Sequence, residues 1–275
     1  MSLIRAAVLD LDDTVLRDDL TISPLTLDIF QRLHTSGFVF VIASGRTLMS
    51  MKPFTDRIGC ASLCIACNGA LIWDPATGDV LHRETFSAEL GREIARFGNE
   101  FGCYAQTYSD NRFFYNKDCS YSRLYSSASM LPGECVGNLE HFIREPRTKI
   151  LMMADETKIS HMMGAALERF EGHAAVTCSK PYFLEFNPPN ATKGIALEKS
   201  ASMLGLSVKD FAAFGDSLND LSMLRIAGRS VAVANARPEV RCVYDEICFS
   251  TRRTVWPVIW RILFLKRCLR HDQSF

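Results

Sequence analysis

The run Ile4-Arg5-Ala6-Ala7-Val8-Leu9-Asp10-Leu11-Asp12-Asp13-Thr14 decides how this chain is read. An apolar stretch that stops abruptly in acidic residues has the texture of a strand buried on both faces of a parallel sheet. Open parallel sheets hold their ligands at the carboxyl ends of such strands. Asp10 and Asp12, two apart on extended chain, would point the same way.

Working outward, Ser23-Pro24 offers a capping hydroxyl and a proline suited to a first helical turn. Leu25, Ile29 and Leu33 then recur at helical spacing until Gly37. Phe38 to Ala43 is a second apolar strand, running into Ser44-Gly45-Arg46. A helix to about Arg57 and a third apolar strand at Leu63 to Ala66 complete a β-α-β-α-β order, which implies a doubly wound parallel sheet. After Asn187-Pro188-Pro189 the rhythm returns: helix from Lys193 to Leu204, strand from Phe211 to Phe214, helix from Leu218 to Ile226, strand from Ser230 to Ala234.

Between these parts the texture changes. Helical patterns (Ala88 to Phe101, Lys158 to Phe170) mix with short strand candidates at Tyr104 to Tyr108, Arg112 to Tyr115, Lys149 to Ala154, Ala174 to Cys178 and Tyr182 to Phe186. Ser120 to Ser129 reads as a polar, serine-rich stretch. The expected fold class is therefore α/β: a Rossmann-like core of residues 1–82 and 187–275, interrupted by an inserted α+β domain, 83–186.

Bulk properties narrow the function. The 275 residues balance 31 Lys and Arg against 31 Asp and Glu, so no global field points to nucleic acid or to a membrane surface. The start lacks a basic region before a long apolar one, and the apolar segment Val255 to Leu265 is too short to span a bilayer; it reads as a helix packed on the core. Ten scattered cysteines then fit free thiols in a reducing cytoplasm. Cys60, Cys64 and Cys67 do have the spacing of the cluster-binding cysteines in radical S-adenosylmethionine enzymes. Cys64 and Cys67 nevertheless border or occupy an apolar run, and buried thiols are the preferred reading.

Four polar sites lie at strand ends or at a helix start: Asp10-Leu11-Asp12-Asp13-Thr14, Ser44-Gly45-Arg46, Asn190-Ala191-Thr192-Lys193-Gly194 and Gly215-Asp216-Ser217-Leu218-Asn219-Asp220. Taken singly, each passes for a loop start, a turn, a surface lysine or a helix cap. Together they offer carboxylates for a hard cation such as Mg²⁺, and Ser44, the Gly45 amide and Lys193 for phosphate oxygens.

In these motifs the sequence resembles the haloacid dehalogenase superfamily, and within it the Cof-like phosphatases with a type IIB α/β cap. Ala43-Ser44-Gly45-Arg46, Cys67-Asn68-Gly69-Ala70, Leu184-Glu185-Phe186 and Val231-Ala232-Val233-Ala234-Asn235-Ala236 match that subgroup's habits. The resemblance implies a Mg²⁺-dependent phosphatase acting on a small phosphorylated metabolite, most often a sugar phosphate, through an aspartyl-phosphate. It makes Asp10 the nucleophile and Asp12 the acid and base. Asp10, the Asp12 main-chain carbonyl and Asp216 would hold the metal. Lys193 would neutralise charge; Leu11, Ser44, Gly45, Arg46 and Asn219 would meet the phosphate or substrate; Asp220 would orient Lys193 or metal-bound water. Arg123, Tyr125, Lys180 and Tyr182 are the candidates in the inserted segment. Departures are Asp13 where glycine is common, Ala234 where glycine precedes Asn-Ala, and Thr251-Arg252-Arg253-Thr254 in place of an acidic turn. A phosphosugar mutase and a non-catalytic phosphate-binding regulator are the alternatives on the same fold, and oligomeric state cannot be read.

Overall fold

A computed structural model describes residues 4–109, 112–242 and 246–248. β1 (Ala6–Asp10) is buried at every position because it pairs in parallel with a neighbour on either side, β2 (Val39–Ala43) and β12 (Phe211–Gly215). Beyond β2 lie β3 (Leu63–Ala66), then β4 (Leu71–Trp73) and β5 (Val80–Arg83); beyond β12 lie β13 (Arg229–Val233) and β14 (Glu246–Cys248). All these pairings are parallel except β3–β4 and β4–β5. The β4–β5 hairpin escaped the sequence reading because β5 is mostly exposed and lacks a buried strand's apolar pattern.

The helices beside this sheet begin where local chemistry dictates. In α1 (Pro24–Thr35) the Ser23 side chain accepts from Thr26 N, and Pro24 opens the first turn. Thr47 caps α2 (Leu48–Ile58) and Thr192 caps α7 (Lys193–Met203) in the same way. The β3–β4 loop contains Gly69 at φ 114°, where a Cβ would come within 2.4 Å of Thr192 O. Only glycine lets that loop lie directly on the start of α7.

A second sheet runs β10-β11-β9-β6-β7-β8, antiparallel except for β7–β8. Its strands are β6 (Tyr104–Ser109), β7 (Arg112–Tyr115), β8 (Gly133–Cys135), β9 (Ile150–Met153), β10 (Ala175–Thr177) and β11 (Phe183–Asn187). One face carries Ala105, Ile150, Met152, Leu184 and Phe186 into an apolar cluster with α3 (Ala88–Glu100), α5 (Leu139–Phe142) and α6 (Glu156–Arg169). Strand alternation puts Tyr104, Gln106, Tyr108, Leu151, Met153 and Glu185 on the other face. Ser120–Ser129, read from sequence as a polar stretch, is helix α4, which buries Ser122, Tyr125 and Ser129. Serines on its buried stripe hid the helical period. The short α8 (Leu221–Ile226) follows a single tight turn at Leu218–Asp220 instead of one continuous helix. The apolar segment Val255 to Leu265 and the Thr251 to Thr254 turn lie outside the described residues. Among the described residues, no helix is long and apolar enough to cross a membrane.

Candidate active site

Asp10, Ser44 and Asp216 leave three adjacent parallel strands at their carboxyl ends, and Lys193 opens α7 beside them. Lys193, with no exposed surface, donates to Asp10 Oδ1 at 2.5 Å and Asp220 Oδ1 at 2.6 Å. Asp220 Oδ2 in turn accepts from the amides of Asp216 (2.9 Å) and Ser217 (3.0 Å), which fixes its orientation. Burial opposes charge on Lys193, but Asp10 and Asp220 outweigh it and raise its pKa, so it stays an ammonium.

The carboxylates of Asp10, Asp216 and Asp220 each place an oxygen within 4.8 Å of the others. Burial, reinforced by neighbouring carboxylates, holds Asp10 well above the ordinary range despite Lys193. The same causes, with Asp220 and Asp13, push Asp216 up to about 8. Asp10 Oδ2 is buried and accepts no hydrogen bond among the described residues. Crowded, electrostatically unfavourable oxygens with a spare lone pair suit a hard divalent cation, whose charge would offset the carboxylate repulsion that adds to burial in both shifts.

The Asp12 carboxylate stands outside this triad. Arg46 grips it, with Nε at 3.1 and 2.9 Å and Nη2 at 2.8 Å, and Ser44 Oγ donates to it at 3.2 Å. Burial alone would raise Asp12, but the charge and hydrogen bonds of Arg46 prevail and lower it below the usual value. Arg46 also donates through Nη1 to Ser50 Oγ (3.0 Å) and to Ala128 O on α4 (2.9 Å), so it ties Asp12 to the second sheet's helix. Asn219, expected at the phosphate, donates instead to Asn68 Oδ1 at 3.0 Å, and among the described residues nothing donates to its own Oδ1. Leu11 is fully buried, so only its main chain could meet a ligand.

Opposite these groups, the second sheet contributes residues to which the sequence reading gave no role. Lys149 pairs with Glu185, both almost fully buried, and donates to Gly45 O at 2.7 Å. Asn68 donates to Asn187 Oδ1 at 3.1 Å and more distantly to Glu185. The signal was a charged or amide residue inside an apolar run, as in Leu184-Glu185-Phe186-Asn187. Of the candidates in the inserted segment, Tyr125, Lys180 and Tyr182 line a cavity of about 120 Å³ that also reaches Asp10, Asp12 and Asp216. Lys180 Nζ lies 3.7 Å from Asp13 Oδ2. Arg123 does not reach the cavity: two residues from Tyr125 on a helix, it falls on the exposed side of α4.

Cys60, Cys64 and Cys67 are buried free thiols. Burial pushes Cys60 up to about 11 and raises the other two, so none is a ready thiolate ligand.

The sequence matches the family profile of haloacid dehalogenase-like hydrolases over residues 7–254. It is 26% identical over 243 residues to an HMP-PP phosphatase of Cronobacter sakazakii, covering 86% of each chain. A solved structure from Thermotoga maritima superposes with a TM-score of 0.74 at 28% identity, covering 90% of this chain and 93% of that one. A structure described as a subclass IIB sugar phosphatase superposes with a TM-score of 0.80 at 17% identity, over 94% and 98% of the two chains; that likeness is one of fold.

Proposed function

The chain belongs to the haloacid dehalogenase-like hydrolases, and from that premise we propose that it is a Mg²⁺-dependent phosphatase of small phosphorylated metabolites, working through an aspartyl-phosphate on Asp10. The observation that carries this reading is Lys193 held between Asp10 and Asp220 inside a buried carboxylate triad. Asp10, Asp216 and the Asp12 main-chain carbonyl would hold the cation. When bound, it supplies positive charge that offsets the carboxylates and the transferring phosphoryl group.

The Asp10 carboxylate forms a bond to phosphorus as the bond to the ester oxygen breaks, and the leaving alcohol takes its proton from Asp12. Water then attacks the phosphorus of the aspartyl-phosphate and gives its proton to Asp12, which releases phosphate and restores Asp10. Arg46 favours the ionised Asp12 needed in the second half. In the first half, the negative charge of a bound phosphate raises Asp12 toward its acid form. Lys193 keeps its positive charge beside Asp10 throughout, and the Ser44 hydroxyl and the Gly45 amide would donate to phosphate oxygens.

Residues 83–186 act in this reading as a cap over the site, and the protein works in the cytoplasm. Sugar phosphates are the first substrate class; nucleotide or cofactor phosphates are the second. Phosphate release from a panel of sugar, nucleotide and cofactor phosphates, with Mg²⁺ and with chelator, tests the proposal. Metal-dependent turnover lost in Asp10→Asn supports it; turnover that survives Asp10→Asn in pure protein removes Asp10 as the nucleophile.

A further inference from the structure

The side of β6 that packs with Tyr125 carries Tyr104, Gln106 and Tyr108, exposed by only 1%, 0% and 6%. An amide buried this deeply is costly unless its hydrogen bonds are made. Here they are made, and they run in one direction. The Tyr104 hydroxyl donates to Gln106 Oε1 at 2.7 Å, Gln106 Nε2 donates to the Tyr108 oxygen at 2.6 Å, and the Tyr108 hydroxyl donates to the Tyr125 oxygen at 2.8 Å.

A hydroxyl has one proton to give. Tyr108 spends its own on Tyr125, so the Tyr125 oxygen is an acceptor in that bond and its own proton is left over. Among the described residues no protein acceptor takes that proton. Tyr125 lines the cavity, and the cations acting on its phenol are Lys149 and Arg46, neither of which can accept a hydrogen bond.

We infer that Tyr125 donates a hydrogen bond to an acceptor atom in the substrate's leaving group, a ring oxygen, ring nitrogen or carbonyl, and that the Tyr104–Gln106–Tyr108 chain fixes this direction. Tyr125 is then a specificity residue, and Tyr108 a positioning residue that acts through it. The inference rests on the phosphatase reading of the same cleft. A site built around a buried donor rejects a ligand that cannot accept from it, because the donor is then left unpaired.

The test uses pairs of phosphomonoesters matched in shape: pyridinylmethyl against benzyl phosphate, and tetrahydropyranylmethyl against cyclohexylmethyl phosphate. The readout is the ratio of kcat/KM within each pair, with melting temperatures confirming that each variant folds. Wild type should favour the acceptor-bearing member of at least one pair by roughly tenfold or more. In Tyr125→Phe that ratio falls to about one, and in Tyr108→Phe to an intermediate value; the double variant matches Tyr125→Phe alone. A wild-type ratio near one in both pairs, a ratio unchanged in Tyr125→Phe, or an equal loss for both members of a pair overturns the inference. No phosphate release from any probe, or from the metabolite panel, overturns the phosphatase reading itself and this inference with it.

Discussion

The two walls of the cleft draw their polar groups from different parts of their sheets. The larger sheet keeps its strands apolar and places Asp10, Ser44 and Asp216 at strand ends. The smaller sheet places Gln106 and Glu185 within strands and Lys149 just before one, on the face whose opposite side packs an apolar core. A parallel sheet separates folding from chemistry along the strand, whereas this antiparallel sheet combines them on one face, where Tyr104, Tyr108, Leu151 and Met153 pack with Tyr125 beside the polar groups. The first arrangement lets a residue change with little effect on the core. In the second, the polar groups facing the cleft are themselves part of what holds the wall together.

The sharpest way to break that contrast is to find the walls responding alike. Asp10→Asn should cost at least about a thousandfold in phosphate release, as loss of a nucleophile does, while its urea unfolding midpoint stays at or above that of wild type because one crowded charge is gone. Lys149→Met should do the reverse to the fold. It strands the Glu185 carboxylate, whose side chain is 2% exposed, and unpaired buried charges cost about 3–5 kcal/mol in equilibrium unfolding. Adding Glu185→Leu to it should recover most of that loss. If Lys149→Met unfolds like wild type, the second wall is not structural in the sense argued.

The carboxylate triad predicts a pH dependence. Asp216, near 8 in the folded chain, ionises near 4 when unfolded. A raised carboxyl of this kind supports the fold fully below about 4 and loses that support as pH rises toward about 8. Melting temperature in chelator should therefore fall from pH 5 to pH 8, and Mg²⁺ should restore it most at the alkaline end. A Mg²⁺ effect equal at both pH values would count against Asp10 and Asp216 as metal ligands. The smallest effect is expected at Arg46→Gln. Asp12 is held low, so its pairing supports the fold above the ordinary carboxylate range and the support disappears as pH falls through the lowered value. With the Asp12 side chain 24% exposed, the pair contributes no more than about 1 kcal/mol. The gap in urea midpoint between Arg46→Gln and wild type should narrow between pH 7 and pH 3; a gap independent of pH would assign it to the Ser50 and Ala128 contacts instead.

What the sequence disclosed follows the same division. Asp10, Ser44 and Asp216 follow unbroken apolar runs, so the run marks the strand and its end marks the site, while Lys193 is marked by the helix start Asn190-Ala191-Thr192 before it. Pairing choices did not show: nothing in Arg46 says that it will bind Asp12, since a guanidinium serves a carboxylate and a phosphate equally well. Lys149 and Glu185 sit 36 positions apart, and only the β9–β11 register makes them partners. Helix α4 stayed hidden because Ser122 and Ser129 occupy buried positions where larger apolar residues would have revealed the period.

The contact of Gly69 with the Thr192 carbonyl bears on how this protein can drift. Gly69 is several bonds removed from any reacting atom, yet a single methyl there would push on the turn that presents Lys193. A saturation library selected for activity should thus find position 69 nearly as intolerant as position 10. The same library screened only for soluble expression should accept many replacements at position 10 and few at 69. Substitution patterns among descendants would mark this glycine as strongly as the nucleophile, for a reason that lies in geometry and not in chemistry.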